Sequence, residues 1–171
     1  MLHSFSPVIS NSSTLLILGS MPGAISLSKH EYYGNPRNHF WPIMYELFNE
    51  PMADSYEQRL LFLLDKKIAL WDVIQNCERD GSLDSAIKQE EINNFDRLYE
   101  QYPAIKTVLF NGTKAYQSYK KCRGFSDDRL YLTLPSTSPT PSRYIKTMDD
   151  KLVKWQIVLQ LLEGNKDEGK E

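Results

Sequence analysis

The stretch YYGNPRNHFWP, residues 32–42, sets four bulky aromatics (Tyr32, Tyr33, Phe40, Trp41) beside two prolines and two asparagines with an arginine between them. Such residues suit a flat heteroaromatic ligand, because aromatic faces stack on it and side-chain amides read its hydrogen-bonding edge. A second stretch, PSTSPTPS at 135–142, interleaves Ser136, Thr137, Ser138 and Thr140 with three prolines, and Arg143 follows it. Hydroxyl and backbone N–H groups in such a loop suit a phosphate. Its prolines fix φ, which should hold the loop amides ready for an anion. GSMPG at 19–23, Trp71-Asp72 and Asn111-Gly112 supply further small and polar groups.

Several other chemistries lose their usual parts. There is no GxSxG elbow, no GxxxxGK[ST] and no GxGxxG, so a serine hydrolase, a P-loop enzyme and a dinucleotide binder are all disfavoured. His3, His30 and His39 lack HxxxH or HExxH spacing, so no metal site is expected, and no cofactor. Cys77 and Cys122 stand far apart and outside any CxxC pattern, which predicts two reduced, buried thiols.

The chemically suggestive loops all follow apolar runs. TLLILGS (14–20), IALWDVI (68–74), IKTVLF (105–110) and RLYLTL (129–134) read as short buried strands. Between them, 40–48, 55–67, 93–102 and 113–121 read as helices, with Asn93 or Asn94 capping the third. GSLDSAI (81–87) reads as a short helix or turn, 21–38 as a long loop, and 146–162 as a last helix. Strands alternating with helices predict an α/β fold, a three-layer α/β/α sandwich around a four-stranded, mainly parallel sheet. Ligands of open α/β sheets bind beyond the carboxyl ends of the strands. The four loops should therefore build one composite site.

At 171 residues, 41% hydrophobic and 25% charged, the chain fits a single domain, expected over 1–163, with 164–171 a polar, disordered tail. No apolar run is long enough for a membrane span, and residues 1–13 do not read as a signal peptide, which makes the cytoplasm the expected location. The net charge of −2 excludes a dedicated nucleic-acid coat but leaves room for local patches. Two basic runs, Lys114/Lys120/Lys121/Arg123 and Arg143/Lys146/Lys151/Lys154, are more simply read as solvated helix faces.

Neutral amides, hydroxyls and aromatic faces fit an enzyme that draws a base out of a DNA duplex and works on it. In register, GSMP, NHFW, LWDV, GSLDSAI, FNGTKA and LPSTSP resemble the uracil-DNA glycosylase superfamily, most of all its hypoxanthine-DNA glycosylase branch, over about residues 14–160. GSMPG takes the place of a first motif that reads GINPG in the mismatch-specific branch, and YYGNPRNHFWP that of (Y/F)xxHPxNxFW. The resemblance implies Asn38 as the catalytic residue, the essential asparagine before xFW in the hypoxanthine branch, while Ser20 stands where other branches place a water-activating Asn or Asp. It implies a base pocket of Gly19, Ser20, Met21, Pro22, Tyr33, Asp72 and Asn111, with Tyr33 a stacking face or wall. Ser136, Thr137, Ser138, Pro139, Thr140 and Arg143 would form the phosphate and intercalation loop. Asn35 stands where the family has His, and Thr140-Pro141 where the second motif continues Ala-Asn.

The implied activity is hydrolytic removal of a deaminated base, hypoxanthine first and uracil second, leaving an abasic site for base excision repair. The partner would be double-stranded DNA, with single-stranded DNA as a second form, met by a monomer at the nucleoid. With no pair of carboxylates evident, a water held by Asn38 and donors for the departing base would carry the chemistry. A relative that recognises damaged DNA without cleaving it is the rival reading. Asn38 also reads as a cap for the helix behind it, a role compatible with catalysis.

Overall fold

A computed structural model describes residues 1–140 and 142–168. Its main sheet has β2 (Leu15–Gly19), β3 (Ile68–Asp72), β6 (Thr107–Asn111) and β7 (Leu130–Leu134), while β1 (Leu2–His3), β4 (Ile74–Glu78) and β5 (Lys88–Ile92) form a small second sheet. The main sheet is parallel throughout, in the order β3-β2-β6-β7. Three of its strands fall within the apolar runs read from the sequence, β6 runs one residue past its own to Asn111, and the expected architecture forms.

The layering follows from the two-residue period of a strand. Leu15, Ile17, Ile68, Leu70 and Leu109 point to one face, packed under α2 (Phe40–Leu47), α3 (Tyr56–Asp65), α6 (Met148–Trp155) and α7 (Ile157–Glu168). Leu16, Leu18, Ala69, Val108 and Phe110 point to the other, covered by α4 (Phe95–Gln101) and α5 (Thr113–Cys122). Central β2 is fully buried, as a strand covered on both faces must be.

Four features differ from the sequence reading. The antiparallel sheet β1-β4-β5 was not foreseen; its strands KQEEI and IQNCE are polar and irregularly paired, with register shifts between β4 and β5. The long loop contains a short helix, α1 (Ala24–Lys29). The last helix breaks at Gln156 and then runs to Glu168, so residues 164–168 are helical where disorder was expected; 169–171 lie outside the described residues. Of the two free thiols only Cys77 is buried, because Cys122 ends α5 at the surface. Among the described residues no helix is long and apolar enough to cross a membrane, and no cluster of His, Cys, Asp and Glu could hold a metal.

Candidate active site

Beyond the carboxyl ends of the four parallel strands lies a cleft of about 490 Å³. A cavity of similar size beside Lys66, Lys67 and α7 shares no residue with it. Every residue assigned from the sequence lines the cleft except Arg143, which is exposed and lies against the Tyr144 ring at 5.3 Å.

The segment 32–42 is pinned at both ends. Tyr32 is buried, its hydroxyl donating to the Ser6 carbonyl at 2.8 Å, and the Trp41 Nε1–H donates back to the Tyr32 carbonyl at 3.0 Å. Phe40 and Trp41 sit in the core, as expected. Between the pins the chain turns into the cleft. Tyr33 adopts a left-handed φ of 54°, uncommon for a bulky residue, and stacks on Phe40 with ring centroids 4.0 Å apart. Burial, with the charge of Asp72 next in importance, pushes the Tyr33 phenol well above its ordinary pKa. Asn38 precedes α2, and its Oδ1 accepts from the Phe40 N–H at 2.9 Å. This turn bond, one residue ahead of the His39 N-cap, occupies one lone pair of that oxygen and leaves the second, and the amide NH₂, for the cleft. Asn35, in the family's histidine position, also lines the cleft while its Oδ1 accepts from the Arg37 N–H.

Asp72 ends β3 on the cleft floor, only 4% exposed, and its Oδ2 has no hydrogen-bond partner. Desolvation raises its pKa to about 7, with Asp84 adding to the rise and Arg79 opposing it. Gly19 makes room for this carboxyl: a Cβ there would sit 2.5 Å from Asp72 Oδ1 and 3.2 Å from the Tyr33 hydroxyl. Asn93 donates from Nδ2 to the Asp72 carbonyl at 2.7 Å, while Asn94 caps α4.

Asp84 was not assigned from the sequence. It lines the cleft opposite the first loop, and the Ser20 hydroxyl donates to its Oδ1 at 2.7 Å. Its loop is held by Arg79, which donates to the carbonyls of Pro22 and Gly81, and by Ser82 Oγ, which accepts from the Ala24 N–H. Two carboxyls thus share the cleft, where the sequence offered no evident pair. The signal available was GSLDSAI itself, a motif with no residue assigned to it.

The hydroxyl loop is fastened from below. Thr137 N–H donates to Asn111 Oδ1 at 2.9 Å, and Asn111 Nδ2 donates to Thr137 Oγ1 at 2.9 Å and to the Tyr33 hydroxyl at 3.1 Å. With its NH₂ and one oxygen lone pair engaged, Asn111 lines the cleft and braces the loop against Tyr33. Gly112, at φ 96°, lies so close to the loop that a Cβ would meet Ser136 Cβ at 3.1 Å. The His39 N–H donates to the Thr137 carbonyl, and Trp155 Nε1–H to that of Pro135. Two more of the amides expected to face an anion are engaged: Ser138 N–H donates to Ser136 Oγ at 3.2 Å and Thr140 N–H to Ser138 Oγ at 3.3 Å. The hydroxyl hydrogens and the Ser136 N–H remain for a phosphate; Pro141 lies outside the described residues.

Residues 7–162 match the sequence model of the uracil DNA glycosylase superfamily. The chain belongs to this superfamily. Within the superfamily it is 43% identical over 124 residues to a hypoxanthine DNA glycosylase of Methanosarcina barkeri, covering 71% of this chain and 78% of the relative. It is 37% identical over 157 residues to a hypoxanthine DNA glycosylase of Methanosarcina acetivorans, covering 91% and 96%. A solution NMR structure of a candidate uracil DNA glycosylase from M. acetivorans superposes with a TM-score of 0.80 at 37% identity, over 94% of this chain and 98% of that one.

Proposed function

We propose that this member of the superfamily is a monofunctional DNA glycosylase that flips a deaminated base, hypoxanthine before uracil, out of duplex DNA and hydrolyses its N-glycosidic bond. The observation that carries the reading is the single cleft that gathers Tyr33, Asn38, Asp72 and the hydroxyl loop at the carboxyl edge of the sheet. The relatives named for hypoxanthine excision support the choice of base.

Flipping costs a few kcal/mol and is easiest at a mismatched or damaged pair, which favours deaminated bases before they reach the cleft. The extruded base stacks on Tyr33, whose far face rests on Phe40. Hypoxanthine and uracil each present a lactam edge, a carbonyl oxygen beside an N–H. A protonated Asp72 answers with one O–H donor and one carbonyl acceptor, as a side-chain amide would. An ionised Asp72 offers acceptors alone and repels the base carbonyl. A pKa of about 7 lets the acid form persist near neutrality.

The free lone pair of Asn38 Oδ1 orients a water beneath C1′. The bond from C1′ to the base nitrogen breaks with its electrons leaving on the base, and the water oxygen bonds to the oxocarbenium-like carbon. The water proton passes to solvent, and the departing base is stabilised by donors in the cleft. An abasic site and a free base remain.

The test is single-turnover excision on duplexes carrying deoxyinosine, deoxyuridine or deoxyxanthosine opposite each normal base, read as abasic-site formation. The expected result is fastest release from deoxyinosine. Tight binding of the inosine duplex with no abasic product, even at large enzyme excess, would establish the rival, a non-cleaving relative.

A further inference from the structure

Lys151 lies in the first turn of α6 and is 3% exposed. None of the ion pairs among the described residues includes it. Lysines ordinarily bury the stem and keep the ammonium in water. A buried ammonium with no carboxylate is a standing cost to the fold. This one donates to the Ser138 carbonyl at 2.8 Å and to His39 Nδ1 at 3.1 Å. Burial holds its pKa below the usual lysine range. Burial and the neighbouring ammonium together push the His39 imidazole down. An ammonium can only donate, so His39 Nδ1 accepts from Lys151 and the ring proton lies on Nε2.

The other basic run shows what an ordinary structural role looks like. Lys114 pairs with Glu90 at 2.7 Å, and Arg123 pairs with Asp96 at 2.9 Å while lying over the rings of Tyr99 and Tyr119. Among the described residues Lys151 has no such carboxylate partner. Directly in front of it is the loop whose exposed Ser136 and Thr140 carry hydroxyls free to donate. A cation screened from water projects its field outward more strongly than one in solvent.

We propose that Lys151 is the buried counter-charge for a DNA backbone phosphate bound at Ser136–Thr140, with the compensating anion supplied by the substrate. This rests on the glycosylase reading and adds to it a positioning residue outside the cleft. The phosphate is held by hydroxyls at the surface and neutralised by the ammonium behind them.

The test compares the parent with Lys151→Met, Lys151→Gln and Lys151→Arg, measuring affinity for a duplex bearing a stable abasic analogue across a salt series, alongside urea unfolding. Lys151→Met should bind about tenfold more weakly near 0.1 M salt, and its slope of log affinity against log salt should be smaller by about one. Its stability should hold or rise, because an unpaired buried charge is gone. Lys151→Gln keeps a donor for the Ser138 carbonyl and should behave like Lys151→Met, while Lys151→Arg should keep the parent slope. A stability loss in Lys151→Met with an unchanged slope, or a Lys151→Gln variant with parent-like binding, overturns the proposal in favour of a structural pin. If the parent itself neither binds nor cleaves inosine duplex, the glycosylase reading falls first and takes this proposal with it.

Discussion

The floor of the cleft buries a carboxyl and the helix behind the hydroxyl loop buries an ammonium, and among the described residues neither forms an ion pair. Asp72 sits at the end of β3 with an unpartnered oxygen, and Lys151 sits under the hydroxyl loop on α6. In a protein built only for stability these two would neutralise each other or give way to apolar side chains. Held apart, they match a nucleotide at both ends: a neutral acid meets the uncharged base, and a fixed cation meets the phosphate. The contrast is between a group that works by losing its charge and one that works by keeping it.

The largest test of this division leaves both charges in place. Asn38→Ala should lower single-turnover excision by at least about 10²–10³-fold, as loss of a preorganised group does. Loss of the hydrogen bond from the Phe40 N–H should cost only about 1 kcal/mol in urea unfolding. An Asn38→Ala protein with parent-like excision would transfer the chemistry to the carboxyls. Next is Gly19→Ala, whose Cβ has no room beside Asp72 Oδ1. Displacing the acid by a fraction of an ångström should reduce excision by about 10²-fold; an unaffected rate would show that Asp72 does not read the base.

Asp72→Asn probes the charge itself. An amide imitates the acid form permanently, so this variant should keep excision within about tenfold of the parent and lose the parent's decline above pH 7. Stability should follow with the opposite sign to an ion-paired carboxylate. Because folding raises this pKa from 3.8 to about 7, the folded state holds its proton more tightly. Parent stability should therefore fall between about pH 4 and 7, by up to about 4 kcal/mol, and level off above. Urea unfolding of parent and Asp72→Asn across that range isolates the slope; identical slopes would mean Asp72 ionises as it does in the unfolded chain.

Tyr33→Phe should have a smaller effect. It strands an Asn111 N–H and should cost about 1–3 kcal/mol in urea unfolding. The smallest effect belongs to the control for the rim. Lys166→Ala removes an exposed charge paired with Glu163 at 3.4 Å, outside the cleft, and should change stability by less than about 1 kcal/mol and leave the salt slope for DNA intact.

The sheet was legible because its four strands are apolar runs punctuated by Gly, Asn and Pro, and their carboxyl ends located the site. Tyr33, Asn38 and Asp72 followed from that rule with the family motifs. What escaped depended on contacts between distant segments. KQEEI has no apolar face to mark it, and it forms a strand because β4 lies beside it. Asp84 reached the cleft only through that second sheet. Lys151 belongs to a helix stretch, DDKLVKW, that reads as half solvated, and its burial is decided by where α6 meets the loop. Hydrogen-bond assignment within the serine-rich loop likewise requires coordinates, since each amide could face inward or outward with the same sequence.

The hydrogen bond from Trp41 Nε1 to the Tyr32 carbonyl closes residues 32–41 into a small ring anchored in the core. Its consequence is thermodynamic. The disorder of a loop carrying both an aromatic platform and a water-holding amide is removed when the chain folds, so little is left to be removed when DNA arrives. Protection of the Phe40 and Trp41 amides from hydrogen exchange should then be nearly the same with and without bound duplex, and affinity should depend on how easily the DNA deforms.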